Sequence, residues 1–150
     1  ADATSDDGLD AAICFIETEG GQDASRVIFA GAKLPLFYVR NREVHVIKGD
    51  RQSIGYKHSD PDFEFTNHTI PAERGMSFYL STDGFWDQLG EDGRSRHGVR
   101  IFGKKRFKKM LAEISDSPYE LRQEMIVEAL ETYKGEMERQ DDVTVVGFGF

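Results

Sequence analysis

The order of local patterns along this chain restricts its fold more than any single motif does. Short apolar runs, several with alternating side chains, fill the first half, and helix-period patterns fill most of the second half. The strand patterns cover residues 11–18, 26–30, 36–40, 43–47, 62–70, 76–81 and 143–150. Strands grouped before helices, with one closing strand, predict an α+β domain.

Turn residues separate these strand patterns. Asn41-Arg42 stands between two of the runs and predicts a β-hairpin. Gly20-Gly21 marks a turn after the first strand, and the Gly, Ser, Asp and Pro content of residues 49–61 predicts a loop.

Two amphipathic helices are predicted in the second half. Four apolar residues at helical spacing define the face of the first: Phe107, Met110, Leu111 and Ile114. The second begins at Ser117-Pro118-Tyr119-Glu120, which has the pattern of a capping box with proline in the first helical position. Its apolar stripe consists of Ile126, Ala129, Leu130 and Tyr133, and Gly135 is placed to end the helix.

Composition excludes several classes of protein. The chain has 150 residues, of which 39% are hydrophobic and 11% aromatic, as in one folded domain and unlike a disordered chain. No apolar run approaches the roughly 20 residues that a membrane-spanning helix needs. The net charge of −8 argues against a nucleic-acid-binding protein. The single cysteine, Cys14, has no internal disulfide partner, so we expect a buried, reduced thiol in a cytoplasmic protein.

One segment runs against the acidic character of the chain. Between residues 94 and 109, here called the basic segment, stand eight lysines and arginines and no acidic residue. One interpretation is a solvated helix face. The other is a docking surface for an acidic partner or a phosphorylated substrate, with Lys104, Lys105 and Lys108 as its candidate residues.

Two acidic turns are the best candidates for chemistry. Asp83-Gly84 follows one predicted strand, and Asp141-Asp142 precedes the last one. Carboxylates at strand ends suggest oxygen ligands for hard cations such as Mg²⁺ or Mn²⁺, and we expect Asp83 and Asp141 to share one rim of the fold. The alternatives are that Asp83 caps a short helix at residues 84–89 and that the other two acids are solvated loop residues.

Other catalytic patterns are missing from the sequence. There is no glycine-rich phosphate loop and no Gly-x-Ser-x-Gly motif. The four histidines lack the spacing of a zinc site: His45, His58, His68 and His97.

Six segments together resemble the SpoIIE/RsbU-type phosphatases, the bacterial branch of the metal-dependent, protein phosphatase 2C-like serine/threonine phosphatases. In chain order they are residues 7–12 (DGLDAA), 29–36 (FAGAKLPL), 48–55 (KGDRQSIG), 65–70 (FTNHTI), 81–88 (STDGFWDQ) and 140–145 (QDDVTV). Each segment is weak alone, but the ordered set is specific.

The resemblance implies two packed, mainly antiparallel β-sheets flanked by helices. It also implies hydrolysis of phosphoserine or phosphothreonine with two Mn²⁺ or Mg²⁺ ions. It assigns metal ligation to Asp83 and Asp141, with Gly84 in the first of these blocks and Asp142 beside the second ligand. The implied substrate is a phosphorylated STAS-type anti-sigma factor antagonist in bacterial signalling.

An upstream Asp-Gly metal motif of these phosphatases has no counterpart in this chain. We therefore expect residues 1–150 to be a single domain portion, the C-terminal part of a phosphatase domain with a partial metal site. Its partners would include the upstream half of the same domain and any sensor or membrane-anchored regions. Two other hypotheses stay open: a catalytically impaired relative that serves as a regulatory or binding module, and an unrelated acidic interaction domain.

Overall fold

The computed structural model describes residues 7–19, 24–91 and 98–150. The predicted Gly20-Gly21 turn, the start of the basic segment (Arg94 and Arg96) and His97 lie outside the described residues. The described elements are β1 (Ala11–Glu19), β2 (Ala24–Ala32), β3 (Leu36–Arg40), β4 (Glu43–Ile47), β5 (His68–Ala72), β6 (Ser77–Ser81), α1 (Gly84–Asp87), β7 (Leu89–Glu91), β8 (Val99–Ile101), α2 (Gly103–Ile114), α3 (Tyr119–Lys134) and β9 (Val145–Gly149). Within these ranges, no helix combines the length and apolarity that crossing a membrane requires.

These strands form three antiparallel sheets. Their orders are β1–β2–β5, β4–β3–β6–β9 and β7–β8. The predicted β3–β4 hairpin is confirmed, and its turn residues Asn41 and Arg42 have φ values of 50° and 66°. Two left-handed residues match the twist of the flanking strands in a two-residue hairpin. The predicted α+β class is confirmed.

The two central strands of the four-stranded sheet, β3 and β6, are packed on both faces. On one face, Phe37 and Tyr79 pack in a core cluster with residues of α2 and α3. On the other face, Leu36 and Phe78 pack in a second cluster with Phe29 and its neighbours from the three-stranded sheet. The layers are therefore helices, four-stranded sheet and three-stranded sheet, held by two apolar cores.

The three-stranded sheet leaves apolar side chains uncovered on its outer face. Ile13 is 65% exposed and Phe15 is 60% exposed, although both lie in the centre of β1. The predicted strand at residues 11–18 is confirmed, but its apolar composition does not mean burial on this face, because no described layer covers it.

Cys14 points from β1 toward the second core cluster and is half-buried there, less than the full burial predicted. Burial raises the pKa of its thiol to about 11. Since the thiolate is the reactive form, we expect Cys14 at pH 8 to react with iodoacetamide roughly 100-fold more slowly in the folded chain than in urea. This difference should shrink as the pH approaches 11. Equal rates at pH 8 would show that the thiol is not protected.

The helix patterns are largely confirmed. The predicted apolar positions of α2 are all buried, whereas Lys104, Lys105 and Lys108 are exposed. Leu130 is buried on α3, and Gly135 ends that helix by donating its N–H to the Glu131 carbonyl at 3.0 Å.

The start of α3 differs from the prediction. Pro118 occupies the N-cap position, and no side chain caps the helix. Ser117 lies one residue further out, and its carbonyl accepts a hydrogen bond from Arg122 Nε at 2.8 Å. The predicted capping box is therefore wrong. Ser117 is not the N-cap residue, and its carbonyl instead binds the side chain of Arg122.

The predicted strand at residues 62–70 is only partly correct, since strand structure begins at His68. The Asp62 N–H donates to Asp60 Oδ1 at 3.0 Å in a local turn. Thr66 donates through its N–H and its hydroxyl to the Asp50 carboxylate, at 2.8 Å and 3.1 Å. This segment is bound to a side chain of another loop rather than to a neighbouring strand.

Candidate functional site

The two acidic turns meet because β6 and β9 are paired. Ser81 lies opposite Val145, so the turn after β6 lies beside the segment before β9. The Thr82 N–H donates to the Thr144 carbonyl at 3.1 Å, and the Thr82 hydroxyl donates to the Asp142 carbonyl at 3.0 Å. The Thr144 N–H in turn donates to Thr82 Oγ1 at 3.0 Å. Thr82 thus ties together two turns that are about 60 positions apart in sequence.

Gly84 allows the close approach of these turns. A Cβ atom on Gly84 would collide with the carbonyl oxygen of Asp142 and would lie 3.3 Å from Asp141 Cβ. Any side chain here would have to push the turns apart. The absence of a side chain at Gly84 is therefore what allows the two acidic turns to lie in contact.

Asp83 and Asp141 expose their side chains at this junction. Asp83 uses its backbone carbonyl to accept the Asp87 N–H at 2.9 Å, but its carboxylate makes no capping hydrogen bond to α1. The alternative that Asp83 serves as a side-chain cap is therefore wrong. Asp141 Oδ1 accepts the N–H of Asp142 at 2.7 Å, and the carboxylate of Asp142 is exposed.

The pKa of the Asp87 carboxyl is influenced by charges from both acidic turns. Partial burial raises the pKa of its carboxyl, the negative charges of Asp83 and Asp141 raise it further, and the ammonium of Lys104 opposes them. The structure thus brings Asp83 and Asp141 to the same rim, as their positions beside strands suggested. Sequence reasoning missed Asp87, although it stands four residues after Asp83.

A cavity of about 380 Å³ lies beside Asp83. Its charged lining residues are Asp10, Lys33, Asp83, Asp87 and Lys104. Of the three candidate docking lysines, only Lys104 lines this cavity; Lys105 and Lys108 lie on the exposed surface of α2. Asp10 and Lys33 were not predicted as site residues. The only signal for them in the sequence is that they lie in the first two of the six family-like segments.

The donor chemistry of this rim suits a hard divalent cation. Asp83 and Asp141 offer carboxylate oxygens, and Gly84 allows their turns to lie in contact. Residues 7–19, 24–91 and 98–150 contain no group of three or more His, Cys, Asp and Glu side chains arranged to hold a metal ion. Asp83 and Asp141 thus have the donor chemistry for a divalent cation, but the described residues do not complete a binding set around them.

A larger cavity of about 620 Å³ lies elsewhere, between α3 and β9. Its most buried charged residue is Arg122, which donates to Tyr79 Oη at 3.1 Å and to the Ser115 carbonyl at 2.7 Å. The guanidinium also stacks 4.0 Å from the centre of the Tyr119 ring. These groups join α3 to the sheet and to the end of α2, so we assign this cavity a structural role.

A family model supports the resemblance inferred from the sequence. The model described as Stage II sporulation protein E (SpoIIE) matches residues 3–150. A comparison with curated proteins gave no match.

Solved structures with the same fold include three phosphatase domains. The SiaA-PP2C domain of Pseudomonas aeruginosa is 38% identical, with a TM-score of 0.71 over 83% of this chain and 46% of that one. The phosphatase domain of the cell fate determinant SpoIIE from Bacillus subtilis, presoaked with Mn, is 14% identical, with a TM-score of 0.60 over 93% and 56%. The S. agalactiae serine/threonine phosphatase is 16% identical, with a TM-score of 0.52 over 85% and 57%. The last two support the fold alone, and this chain spans about half the length of each structure.

Proposed function

The chain belongs to the SpoIIE family of PP2C-type serine/threonine phosphatase domains, and from this premise we propose that, within a complete domain, it hydrolyses phosphoserine or phosphothreonine with Mn²⁺ or Mg²⁺. The observation that carries the proposal is the junction of the Asp83-Gly84 and Asp141-Asp142 turns. Family membership makes the hypothesis of an unrelated interaction domain wrong.

The residues of this junction have separate tasks in the proposed reaction. Asp83 and Asp141 hold the cations, and Gly84 lets their turns touch. Asp142 fixes the junction through its backbone carbonyl, which accepts the Thr82 hydroxyl. When bound, divalent cations would lower the pKa of the attacking water and stabilise negative charge on the phosphoryl oxygens.

We propose that the remaining part of the domain packs against the three-stranded sheet. This chain spans 46% of the SiaA-PP2C domain, and the outer face of β1 carries the exposed Ile13 and Phe15. Apolar side chains at the centre of a strand stabilise a fold when another layer covers them. The same remaining part would supply further metal ligands, since the described residues hold no group of three or more side chains able to bind an ion.

The first test compares residues 1–150 with the same residues joined to their upstream half. We expect the complete domain to release phosphate from a phosphoserine peptide only with Mn²⁺ or Mg²⁺, and to stop when EDTA is added. Residues 1–150 alone should hydrolyse the peptide poorly and bind Mn²⁺ weakly, because two carboxylates leave each ion largely hydrated.

Calorimetry and phosphate assays separate the outcomes of this test. Two tight Mn²⁺ sites on residues 1–150 alone would contradict a partial site. A complete domain that folds and binds a phosphorylated protein but releases no phosphate would instead support the alternative, a catalytically impaired regulatory module.

We further propose a phosphorylated STAS-type regulator in the cytoplasm as the substrate, with the basic segment assisting its approach. A local positive surface on a protein of net charge −8 would steer an acidic partner toward this side. Lys105 and Lys108 serve this role from the exposed face of α2, and Lys104 stands nearest the rim.

Charge reversal tests this steering. We expect Lys105→Glu combined with Lys108→Glu to lower kcat/KM for the phosphoprotein about 10-fold at low salt, and less at about 0.5 M salt. Hydrolysis of a small phosphate ester should be unchanged. Equal losses on both substrates would indicate damage to the fold, and no loss on either would leave α2 as a solvated helix.

A further inference from the structure

We propose that Lys33 and Lys104 bind the phosphoryl group of the substrate from two walls of the cavity beside Asp83. This inference rests on the proposed phosphatase function and adds the residues that hold the substrate. The lysines come from different elements, the β2–β3 connection and the first turn of α2, and both line the cavity with Asp83.

The backbone of Lys33 adopts a conformation that lysine seldom takes. Its φ is 65°, and the Leu34 N–H donates to the Ala32 carbonyl at 2.8 Å, which closes a three-residue turn around it. Such a γ-turn with positive φ is rare and strained for a residue with a side chain. A glycine would fit this backbone at lower cost, so the strain at Lys33 accompanies a side chain that lines the cavity.

Contacts from a second loop keep this turn in place. The Lys33 N–H donates to the Asp50 carbonyl at 2.9 Å, and the Asp50 N–H donates to the Gly31 carbonyl at 2.8 Å. The Asp50 carboxylate is itself held by the N–H and hydroxyl of Thr66. Lys33 therefore projects from a braced backbone, which reduces the entropy lost when its ammonium group binds a ligand.

Lys104 is placed by an aromatic ring. Its ammonium nitrogen lies 4.9 Å from the centre of the Trp86 ring, within the range of a cation–π interaction. Trp86 is buried and also lines the cavity. The ring holds the cation over the cavity without neutralising it.

The charges of the cavity point to a phosphoryl group rather than to ion pairs within the protein. Asp10, Asp83 and Asp87 line the same space, yet neither lysine forms an ion pair with any residue in the described ranges. Once the carboxylates are engaged with divalent cations, two ammonium groups remain for phosphoryl oxygens. A cavity of about 380 Å³ admits a phosphorylated side chain but not a protein surface, so these contacts are made to the phosphoryl group itself.

This role differs from steering in a way that can be measured. Steering acts on the charge of the whole partner and is screened by salt, whereas a direct contact acts on any phosphate and persists in salt. Loss of either lysine should therefore weaken the binding of inorganic phosphate and of small phosphate esters as well as that of the phosphoprotein.

The experiment uses the complete domain with Mn²⁺ and the variants Lys33→Gln and Lys104→Gln. We expect each variant to raise the inhibition constant of inorganic phosphate about 10-fold, as for loss of one charged hydrogen bond. This increase of about 10-fold should be nearly the same at about 0.5 M salt. The control is Lys48→Gln, which removes an exposed lysine near the end of β4 that does not line the cavity. This control should leave the constant unchanged.

Three further measurements make the result decisive. The Mn²⁺ dissociation constant should not increase in Lys33→Gln or Lys104→Gln, and Lys33→Arg should recover most of the phosphate affinity. Lys33→Gly should weaken phosphate binding without lowering Tm, because it relieves the turn while removing the cation.

Two outcomes would overturn the inference: phosphate inhibition within about twofold of wild type in Lys33→Gln, or a loss of Mn²⁺ affinity that accounts for the whole effect. If the wild-type domain showed no metal-dependent hydrolysis, the proposed function would fail first. Calorimetric titration with inorganic phosphate would then still decide whether the two lysines bind it.

Discussion

Replacing Asp83 by asparagine in the complete domain is expected to lower metal-dependent phosphate release by about 100-fold or more. Loss of a residue that only supports a metal ligand commonly costs about 10–100-fold, and Asp83 is proposed as a ligand itself. Asparagine keeps the shape of the side chain but removes the charge that attracts a divalent cation. The half-maximal Mn²⁺ concentration should rise together with the loss of rate.

The fold should survive this change, because the Asp83 carboxylate is exposed and makes no capping hydrogen bond. Tm and the circular dichroism spectrum should match wild type. Asp62→Asn is the matched control, since Asp62 is exposed and does not line the cavity. Near-normal turnover in Asp83→Asn would count decisively against metal ligation by this residue.

Replacing Gly84 by alanine is expected to damage stability and metal dependence together. In an ordinary helix, alanine is about 0.5–1 kcal/mol more stable than glycine. At Gly84 the added Cβ meets the Asp142 carbonyl, which already accepts the Thr82 hydroxyl and cannot move freely. We expect the free energy of unfolding to fall by about 1–3 kcal/mol, as for an overpacked core. The half-maximal Mn²⁺ concentration should also rise.

Gly75→Ala provides the comparison for this variant. Gly75 lies between β5 and β6, has φ of 88°, and has nothing within 4 Å of an added Cβ. Alanine there should lose stability through backbone strain alone and should leave the Mn²⁺ dependence unchanged. If urea unfolding and Mn²⁺ titration of Gly84→Ala both matched wild type, the close contact of the turns would have no energetic role.

Local patterns predicted the elements whose structure depends on near neighbours. The apolar face of α2 and the β3–β4 hairpin follow from helical spacing and from a two-residue turn, and both are confirmed. The segment before His68 alternates like a strand, but Thr66 is held by Asp50, 16 positions away. A local sequence pattern holds no information about that distant contact, so it cannot predict that the contact replaces strand pairing.

The residues of the candidate site also fall into two groups, those that the sequence predicted and those that it did not. Asp83 and Asp141 were found because each stands in a recognisable segment beside a strand. Asp10 and Lys33 were missed because only folding brings them to the cavity, whereas Asp87 was missed although it lies one helical turn after Asp83. Lys33 in particular has no local marker, since its left-handed turn would ordinarily be expected at glycine or asparagine.

The pairing of β6 with β9 makes the distance between the two acidic turns a property of strand alignment. Ser81 opposite Val145 sets how far Asp141 stands from Asp83. A slip by two residues would keep every side chain on its present face, yet would shift Asp141 by roughly 7 Å, far beyond what a shared ion tolerates. Such a change of register would therefore keep the two faces of the sheet as they are while separating the two acidic turns.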